Sequence, residues 1–334
     1  MIRVPGPEPF DPPVWPIDLL HAAMLVTLLG AVLFAPRPVG GAALWAIGDV
    51  LALGVLALGL RHAARHAVRR PLAARVVYGT VVVPMVFWQV GEVIPARAGR
   101  DLAAELERLD RALFLGTNPL EAVESLSTPL VNELLQWAYV SYFGVPFVAI
   151  AAVARRGRRL EARALFGIVA SLYLCYAGFA CVPASGPNVH DGFGATPPSH
   201  VVATSLYHFR TDLPGLFAAS AIPRMMDFLE PSKLNSFPSG HVALTLVCAF
   251  HAVRARPAWR AWMVPWALAI VLSTATMRYH YVVDVLAGIG VAAVCVLVLD
   301  RAHRAVEARV AVRSRRRPAA HASGHAAGAE GASS

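Results

Sequence analysis

Two short segments of this sequence place ionisable side chains next to long apolar runs. The first is SFPSGH at residues 236–241, and the second is RYHYVVD at residues 278–284. An ionisable residue is costly to bury beside hydrocarbon without a partner, so its presence there favours a functional role. His280 and Asp284 are four residues apart, a spacing that predicts one face of a helix. The carboxylate could then accept the proton of one ring nitrogen and leave the other nitrogen free to attack an electrophile.

The first segment has the features of a helix whose N-terminus can bind an anion. Pro238 suits the first turn of a helix, and Ser239 and Gly240 would present backbone N–H groups at the positive end of the helix dipole. His241 could protonate an oxygen that leaves phosphorus, which is general acid catalysis. The two segments together predict phosphoryl transfer by two histidines and an aspartate. No metal or other cofactor is required, because helix ends and cationic side chains can stabilise the charge of the phosphate.

The composition indicates the solvent in which these segments work. Hydrophobic residues make up 57% of the 334 residues and charged residues 15%, and the mean hydropathy is +0.54. A soluble domain has about 45–50% apolar and roughly 25% charged residues. Apolar runs of about 20 residues recur, and each is long enough to cross a hydrocarbon core of about 30 Å as a helix. The sequence therefore predicts an all-α bundle of about eight transmembrane helices.

The predicted spans and regions follow the apolar runs. The spans lie near residues 17–36, 41–60, 75–94, 130–153, 163–183, 239–254, 260–278 and 280–300. Residues 1–16 and 301–334 are predicted to be a disordered N-terminus and a basic, disordered tail, because neither has a packing pattern. Between them we expect N-terminal transmembrane helices at 17–94 and a catalytic membrane domain at 95–300.

The distribution of arginine predicts the orientation, because basic residues near span ends stay in the cytoplasm. Arginines are dense in the short loops 61–75, 154–163 and 254–260 and sparse in the longer loops 95–129 and 185–238. Both termini are then cytoplasmic, and the two chemical segments lie on the outer face of the cell membrane. The formal net charge of +9 has this topological cause, so a nucleic-acid partner is not expected.

One outer loop contains an amphipathic stretch. DLAAELERLDRALFLG at 101–116 has apolar residues at helical spacing with charges between them. It predicts a helix that either lies on the outer membrane surface or packs on the bundle as a solvated helix.

At this point a family resemblance can be stated. FPSGH followed by HYVVDVLAG resembles the second and third signature motifs of the type-2 phosphatidic acid phosphatase superfamily. Within it, NSFPSGHVALTL and RYHYVVDVLAGIG, preceded by LDRALFLGTNP and PASGPN, are most similar to the inositolphosphotransferase branch, which includes inositol phosphorylceramide synthases. The resemblance covers roughly residues 105–300. It implies that His280 forms a phosphohistidine, that Asp284 orients it and that His241 protonates the leaving group.

Two departures from the superfamily pattern shift the expected reaction. Thr274 stands where the phosphatase motif has an arginine, and residues 185–188 replace a Lys/Arg-rich first motif. Both departures favour transfer over simple hydrolysis. Charge for the phosphate must then come from elsewhere, and the candidates are Arg278, Lys233 and Asn188, beside Ser239 and Gly240.

Other readings of the sequence stay open. The same site would serve a lipid phosphate or polyprenyl diphosphate phosphatase that uses water as acceptor. The histidines could instead be hydrogen-bonded interfacial residues of a non-catalytic transporter or scaffold. If the protein is an enzyme, membrane lipids are its expected substrates.

Further ionisable residues receive weaker expectations. The spacing of His190, Asp191, His200 and His208 matches no zinc signature, so they are expected to be surface residues of a loop. Two acidic residues lie in or near spans: Asp49 is expected to be a buried hydrogen-bonded partner, and Glu92 to face the site.

Overall fold

Helices make up all the regular secondary structure that the computed structural model describes, which covers residues 14–65, 71–97, 100–120, 129–154, 156–187 and 234–305. The expected all-α membrane bundle is confirmed. Its α-helices are α1 (Pro16–Leu33), α2 (Ala42–Arg65), α3 (Pro71–Arg97), α4 (Ala103–Leu113), α5 (Pro129–Ser141), α6 (Val145–Val153), α7 (Arg158–Cys181), α8 (Gly240–Ala255), α9 (Arg260–Thr276) and α10 (Val282–Ala293).

In the described part of the chain, six helical stretches are long and apolar enough to cross a membrane. They are Pro16–Leu33, Ala42–Arg65, Leu72–Arg97, Leu134–Val153, Arg158–Cys181 and Val282–Ala305. The other two predicted spans correspond to α8 and α9, which have 16 and 17 residues. At 1.5 Å per residue, α8 is only about 24 Å long, which is less than the hydrocarbon thickness of about 30 Å. α8 compensates by packing against α6, α7, α9 and α10, and most of its residues are buried.

The predicted single span at 130–153 is divided in the structure. A 3₁₀ turn at Tyr142–Gly144 separates α5 from α6. Pro146 lies at the start of α6, and a proline there cannot donate the N–H that would continue the preceding helix. The turn is important for the site because it brings aromatic side chains of this span beside α8.

Described structure extends a few residues into both ends that the sequence predicts to be disordered. Trp15 is buried, and its backbone N–H donates to the Asp18 carboxylate (2.7 Å). Its ring lies under the Arg75 guanidinium, 4.5 Å from the ring centroid. Arg75 also pairs with Asp18 (2.7 Å), so α3 fixes the start of α1. At the other end, α10 continues through a π-helical turn at Val294–Leu299 and remains helical to Ala305. Residues 1–13 and 306–334 lie outside the described residues.

Two glycines allow close packing around the start of α8. A Cβ atom on Gly178 of α7 would lie 2.2 Å from the Pro238 ring, and one on Gly288 of α10 would lie 2.6 Å from the Ser239 carbonyl oxygen. Real Cβ atoms do not approach other atoms so closely. The segment before α8 is therefore held between α7 and α10 at a distance that only glycine permits.

We predict that Gly288→Ala destabilises the protein, because the new methyl group must push against backbone. Overpacking of this kind typically costs about 1–3 kcal/mol, which should lower the midpoint of thermal unfolding in detergent by several degrees. Gly290→Ala is the matched control, since a Cβ there meets nothing within 4 Å. Equal unfolding midpoints for the two variants would contradict this account of the packing.

Candidate active site

The two chemical segments meet at one end of the bundle. α8 begins there, and the chain turns there from α9 into α10. His280 Nε2 lies 3.4 Å from His241 Nδ1, and the two rings are 5.6 Å apart. His280 Nδ1 lies 3.4 Å from Asp284 Oδ2. The structure thus brings together the three side chains that the sequence singled out.

The turn before α10 fixes the orientation of His280. The N–H groups of Tyr279 and His280 both donate to the carbonyl of Thr274, at 3.1 and 3.0 Å. The Nδ1 atom of His280 lies 3.0 Å from the carbonyl oxygen of Ser236. A carbonyl oxygen can only accept, so this bond places the proton on Nδ1 and leaves the lone pair on Nε2. That lone pair points toward His241.

The prediction that His280 and Asp284 share a helix face is wrong. α10 begins at Val282 with Tyr281 as its N-cap, so His280 belongs to the preceding turn. The helix starts later because Asp284 accepts the Tyr281 N–H (2.9 Å) and so caps the helix from its third residue. The same carboxylate is nevertheless near His280, because the turn folds the imidazole back over the helix end.

Ser236 links the two segments and was given no role in the sequence analysis. It is buried, and its hydroxyl donates to Asp284 Oδ2 and lies 3.4 Å from His280 Nδ1. Its carbonyl oxygen lies 3.0 Å from the same ring nitrogen, Nδ1. The only local signal was a hydroxyl residue five positions before His241, which does not reveal a partner 44 residues away.

The start of α8 differs in detail from the prediction. Ser239 is the N-cap and Pro238 precedes it, outside the helix. The N–H of Ser239 donates to the Asp284 carbonyl (3.0 Å), so it is not available to a phosphate as expected. Among the described residues, no acceptor lies within hydrogen-bond distance of the N–H groups of Gly240 and His241. These two groups form the positive end of α8.

Aromatic rings confine the imidazole of His241. Tyr139 stacks on it with centroids 4.5 Å apart, and Tyr142 lies at 4.2 Å. Tyr139 stacks in turn on Tyr279 at 4.0 Å. Tyr139 and Tyr142 had no role in the sequence predictions, although residues three apart at a helix end share one face. The rings restrict rotation of His241 and keep Nδ1 directed at His280.

Of the remaining predicted phosphate ligands, Arg278 lies within the described residues. Arg278 is half-buried in the turn before His280 and has a φ of +54°, a left-handed conformation that is uncommon for residues other than glycine. Thr274 is buried, and its hydroxyl donates to the Val271 carbonyl (2.7 Å) within its own helix. Lys233 and Asn188 lie outside the described residues, as do His190, Asp191, His200 and His208.

The two acidic residues of the N-terminal spans have other partners. Asp49 is fully buried and accepts a hydrogen bond from the Gln89 amide (2.7 Å), as expected for a buried hydrogen-bonded residue. Glu92 does not face the site: its carboxylate lies against Gly40, in the connection between α1 and α2. The expectation for Glu92 is wrong because the end of α3 packs on that connection.

The amphipathic stretch forms α4 and packs on the catalytic segment. Ala103 and Leu106 are buried against Tyr281, while Leu109 and Leu113 are exposed. Asp110 is also buried, and its two oxygens accept the N–H groups of Val282 (2.8 Å) and Val283 (2.7 Å). The sequence analysis predicted the helix but gave this aspartate no role.

Comparison with known proteins assigns the family. A family model described as the PAP2 superfamily matches residues 104–298, which is more than half of the chain. The chain belongs to the PAP2 superfamily. The match includes α4 to α9, the whole of α10, and the three residues at the centre of the site. The expected superfamily is confirmed.

A similar protein carries a related description. A PA-phosphatase related-family protein of Dictyostelium discoideum is 22% identical over 214 residues, which cover 56% of this chain and 35% of that protein. The match therefore spans about a third of the length of that relative. No solved structure matches the chain significantly. These comparisons do not distinguish the inositolphosphotransferase branch of the PAP2 superfamily from the others.

We predict that Ser236→Ala lowers the turnover number by about 10- to 150-fold, because a hydrogen bond to a buried charged group contributes about 1.5–3 kcal/mol. The measurement is the steady-state cleavage of a labelled phospholipid in mixed micelles, with and without an acceptor lipid. Ser171→Ala is the matched control, since Ser171 is also buried but bonds only to its own helix at Ile168. An unchanged rate in the Ser236 variant would remove the hydroxyl from the account of the site.

Proposed function

We propose that this protein is a lipid phosphotransferase that acts through a phosphohistidine at His280. The observation that carries the proposal is the opposed pair of imidazoles, with His280 Nε2 3.4 Å from His241 Nδ1 and His280 Nδ1 3.0 Å from the Ser236 carbonyl. One imidazole is thereby oriented as a nucleophile, and the other is in place to move a proton. This is the geometry that two-step transfer at phosphorus needs.

In the first step, the Nε2 lone pair of His280 attacks the phosphorus of the donor lipid. An N–P bond forms, the bond from phosphorus to the leaving oxygen breaks, and His241 gives that oxygen its proton. In the second step, the hydroxyl of the acceptor attacks phosphorus and loses its proton to His241. The N–P bond breaks, its electron pair returns to Nε2, and both histidines regain their starting state.

The charge that develops on phosphorus needs donors that are already in place. The N–H groups of Gly240 and His241 at the start of α8, which have no bonded acceptor among the described residues, supply two of them. Arg278 adds a cation two residues before the nucleophile. Lys233, which is near the site in sequence, and Asn188 complete the proposed set.

The choice of acceptor follows from the departures in sequence. Thr274 has no charge to offer the phosphate, and its hydroxyl is bonded within its own helix. We therefore favour a lipid hydroxyl as acceptor and an inositol phosphate as the transferred group, as the inositolphosphotransferase resemblance implies. A second candidate is a lipid phosphate or polyprenyl diphosphate phosphatase, which the description of the Dictyostelium relative as PA-phosphatase related favours.

We predict that His280→Ala abolishes both turnover and an acid-labile phosphoenzyme. His241→Ala should slow turnover by about 10²–10⁴-fold, the usual contribution of general acid–base catalysis. A rapid quench in alkaline detergent, which preserves the acid-labile N–P bond, of protein mixed with labelled lipid measures the first effect, and steady-state rates measure the second. His62→Ala, on the exposed surface of α2, is the control, and wild-type turnover in His280→Ala would refute the mechanism.

Product analysis separates the candidate functions. Mass spectrometry of lipids from cells with the wild-type or the His241→Ala protein shows which headgroup ceases to be transferred. Release of free phosphate without an added acceptor would favour the phosphatase. Movement of lipid across reconstituted vesicles with its phosphate bonds intact would support the transporter.

The arginine pattern supports a site on the outer face of the cell membrane, with both termini in the cytoplasm. Cys181, which ends α7 next to the site segment, is exposed, whereas the other three cysteines are buried. We predict that a membrane-impermeant maleimide labels Cys181 in intact cells. Cys181→Ala is the control, and labelling that requires permeabilised cells would reverse the proposed orientation.

A further inference from the structure

The start of α10 is closed by two carboxylates. Asp284, from the helix itself, accepts the Tyr281 N–H. Asp110, from α4, accepts the N–H groups of Val282 and Val283 at 2.8 and 2.7 Å. A helix N-terminus normally has several N–H groups without partners, and here three successive ones are bound. This end of α10 therefore has no donors for a phosphate at those positions, in contrast to the start of α8.

Burying the Asp110 carboxylate to accept the backbone N–H groups at the start of α10 costs free energy. Most helices are capped by a serine, threonine, asparagine or aspartate at the N-cap position itself, but here that position is Tyr281. Asp110 is only 1% exposed, and burial raises its pKa, as does the nearby Asp284, while the two N–H groups act in the opposite direction. Together with Asp284, this buried carboxylate from a separate helix fixes where α10 begins and ties that point to α4.

A second contact ties α4 to the other support of His280. Asp101, just before α4, accepts the N–H (3.0 Å) and the hydroxyl (2.5 Å) of Ser185. The neighbouring Ala184 carbonyl accepts the N–H of Ser236 (3.0 Å). Ser236 is the residue that orients the His280 imidazole. The segment around α4 is thus connected to the backbone that follows His280 and, through residues 184 and 185, to Ser236.

We propose that Asp110 is a positioning residue, which holds the start of α10 so that His280 faces His241 at reaction distance. The proposal rests on the phosphohistidine mechanism above. Asp110 acts through the backbone of residues 282 and 283, which follow His280 after a single residue. A shift of about 1 Å in a reacting group can cost about 10²-fold in rate, so a small movement of the helix start is enough to disable the site.

The test compares Asp110→Ala and Asp110→Asn with the control Glu107→Gln. Glu107 lies one turn earlier on α4 and pairs with Arg111 on the exposed side. With short-chain phosphatidylinositol as donor and a lipid with a free hydroxyl as acceptor in mixed micelles, we expect Asp110→Ala to lower kcat about 100-fold and to change KM less than threefold. Asp110→Asn keeps one acceptor oxygen and should recover part of the loss, while Glu107→Gln should match the wild type.

A second measurement does not depend on the substrate. Orthovanadate adopts the five-coordinate geometry of phosphorus during transfer, so its affinity reports the geometry around the nucleophile. We expect the Kd for orthovanadate to rise at least tenfold in Asp110→Asn, at an unfolding midpoint within a few degrees of the wild type. This variant is nearly isosteric, so it remains informative if Asp110→Ala fails to fold.

The outcomes separate the two proposals. If His280→Ala is inactive but Asp110→Asn keeps wild-type kcat and vanadate affinity, the positioning role of Asp110 is wrong. Equal loss of activity and of folded protein, with normal kcat per folded molecule, would also overturn it. If His280→Ala retains activity, the phosphohistidine mechanism itself has failed.

Discussion

Asp284 is the residue through which the two halves of the site are joined. Its carboxylate accepts the Tyr281 N–H and the Ser236 hydroxyl, and its backbone carbonyl accepts the Ser239 N–H. One fully buried residue thus connects the turn before α10, the segment before α8 and the cap of α8. An uncompensated charge at this place would be very costly, so the Tyr281 N–H and the Ser236 hydroxyl are held together by the need to satisfy it. The position of His280 depends on this arrangement.

The same requirement explains why the site lies at helix ends. Inside a helix the backbone N–H groups are already bonded, whereas at the start of a helix they need partners from elsewhere. In this protein the start of α10 obtains protein carboxylates, and the start of α8 keeps two N–H groups unpaired among the described residues. The two helix ends are close together but chemically unlike. The start of α10 is therefore held by carboxylates, whereas the start of α8 keeps two backbone N–H groups that the described residues do not occupy.

Local sequence patterns were sufficient for some features and insufficient for others. Apolar runs predicted the helices because membrane thickness sets their length, and ionisable residues beside those runs identified His241, His280 and Asp284. The start of α10 was misplaced by two residues, since the cap that sets it comes partly from Asp110, 172 positions away. Ser236, Tyr139 and Glu92 were missed or misassigned for the same reason. Their partners depend on how separate helices pack, which residue spacing within one segment does not encode.

The short length of α8 has a consequence for how a lipid reaches the site. A helix of about 24 Å cannot reach both boundaries of a hydrocarbon layer about 30 Å thick. The end that carries Arg254, which pairs with Asp300, is drawn to the aqueous boundary by its charge. The shortfall of about 6 Å then falls on the His241 end, below the opposite boundary. For the lipid substrate that we propose, the linkage between headgroup and acyl chains would meet His280 at that depth while the chains remain among their neighbours in the bilayer.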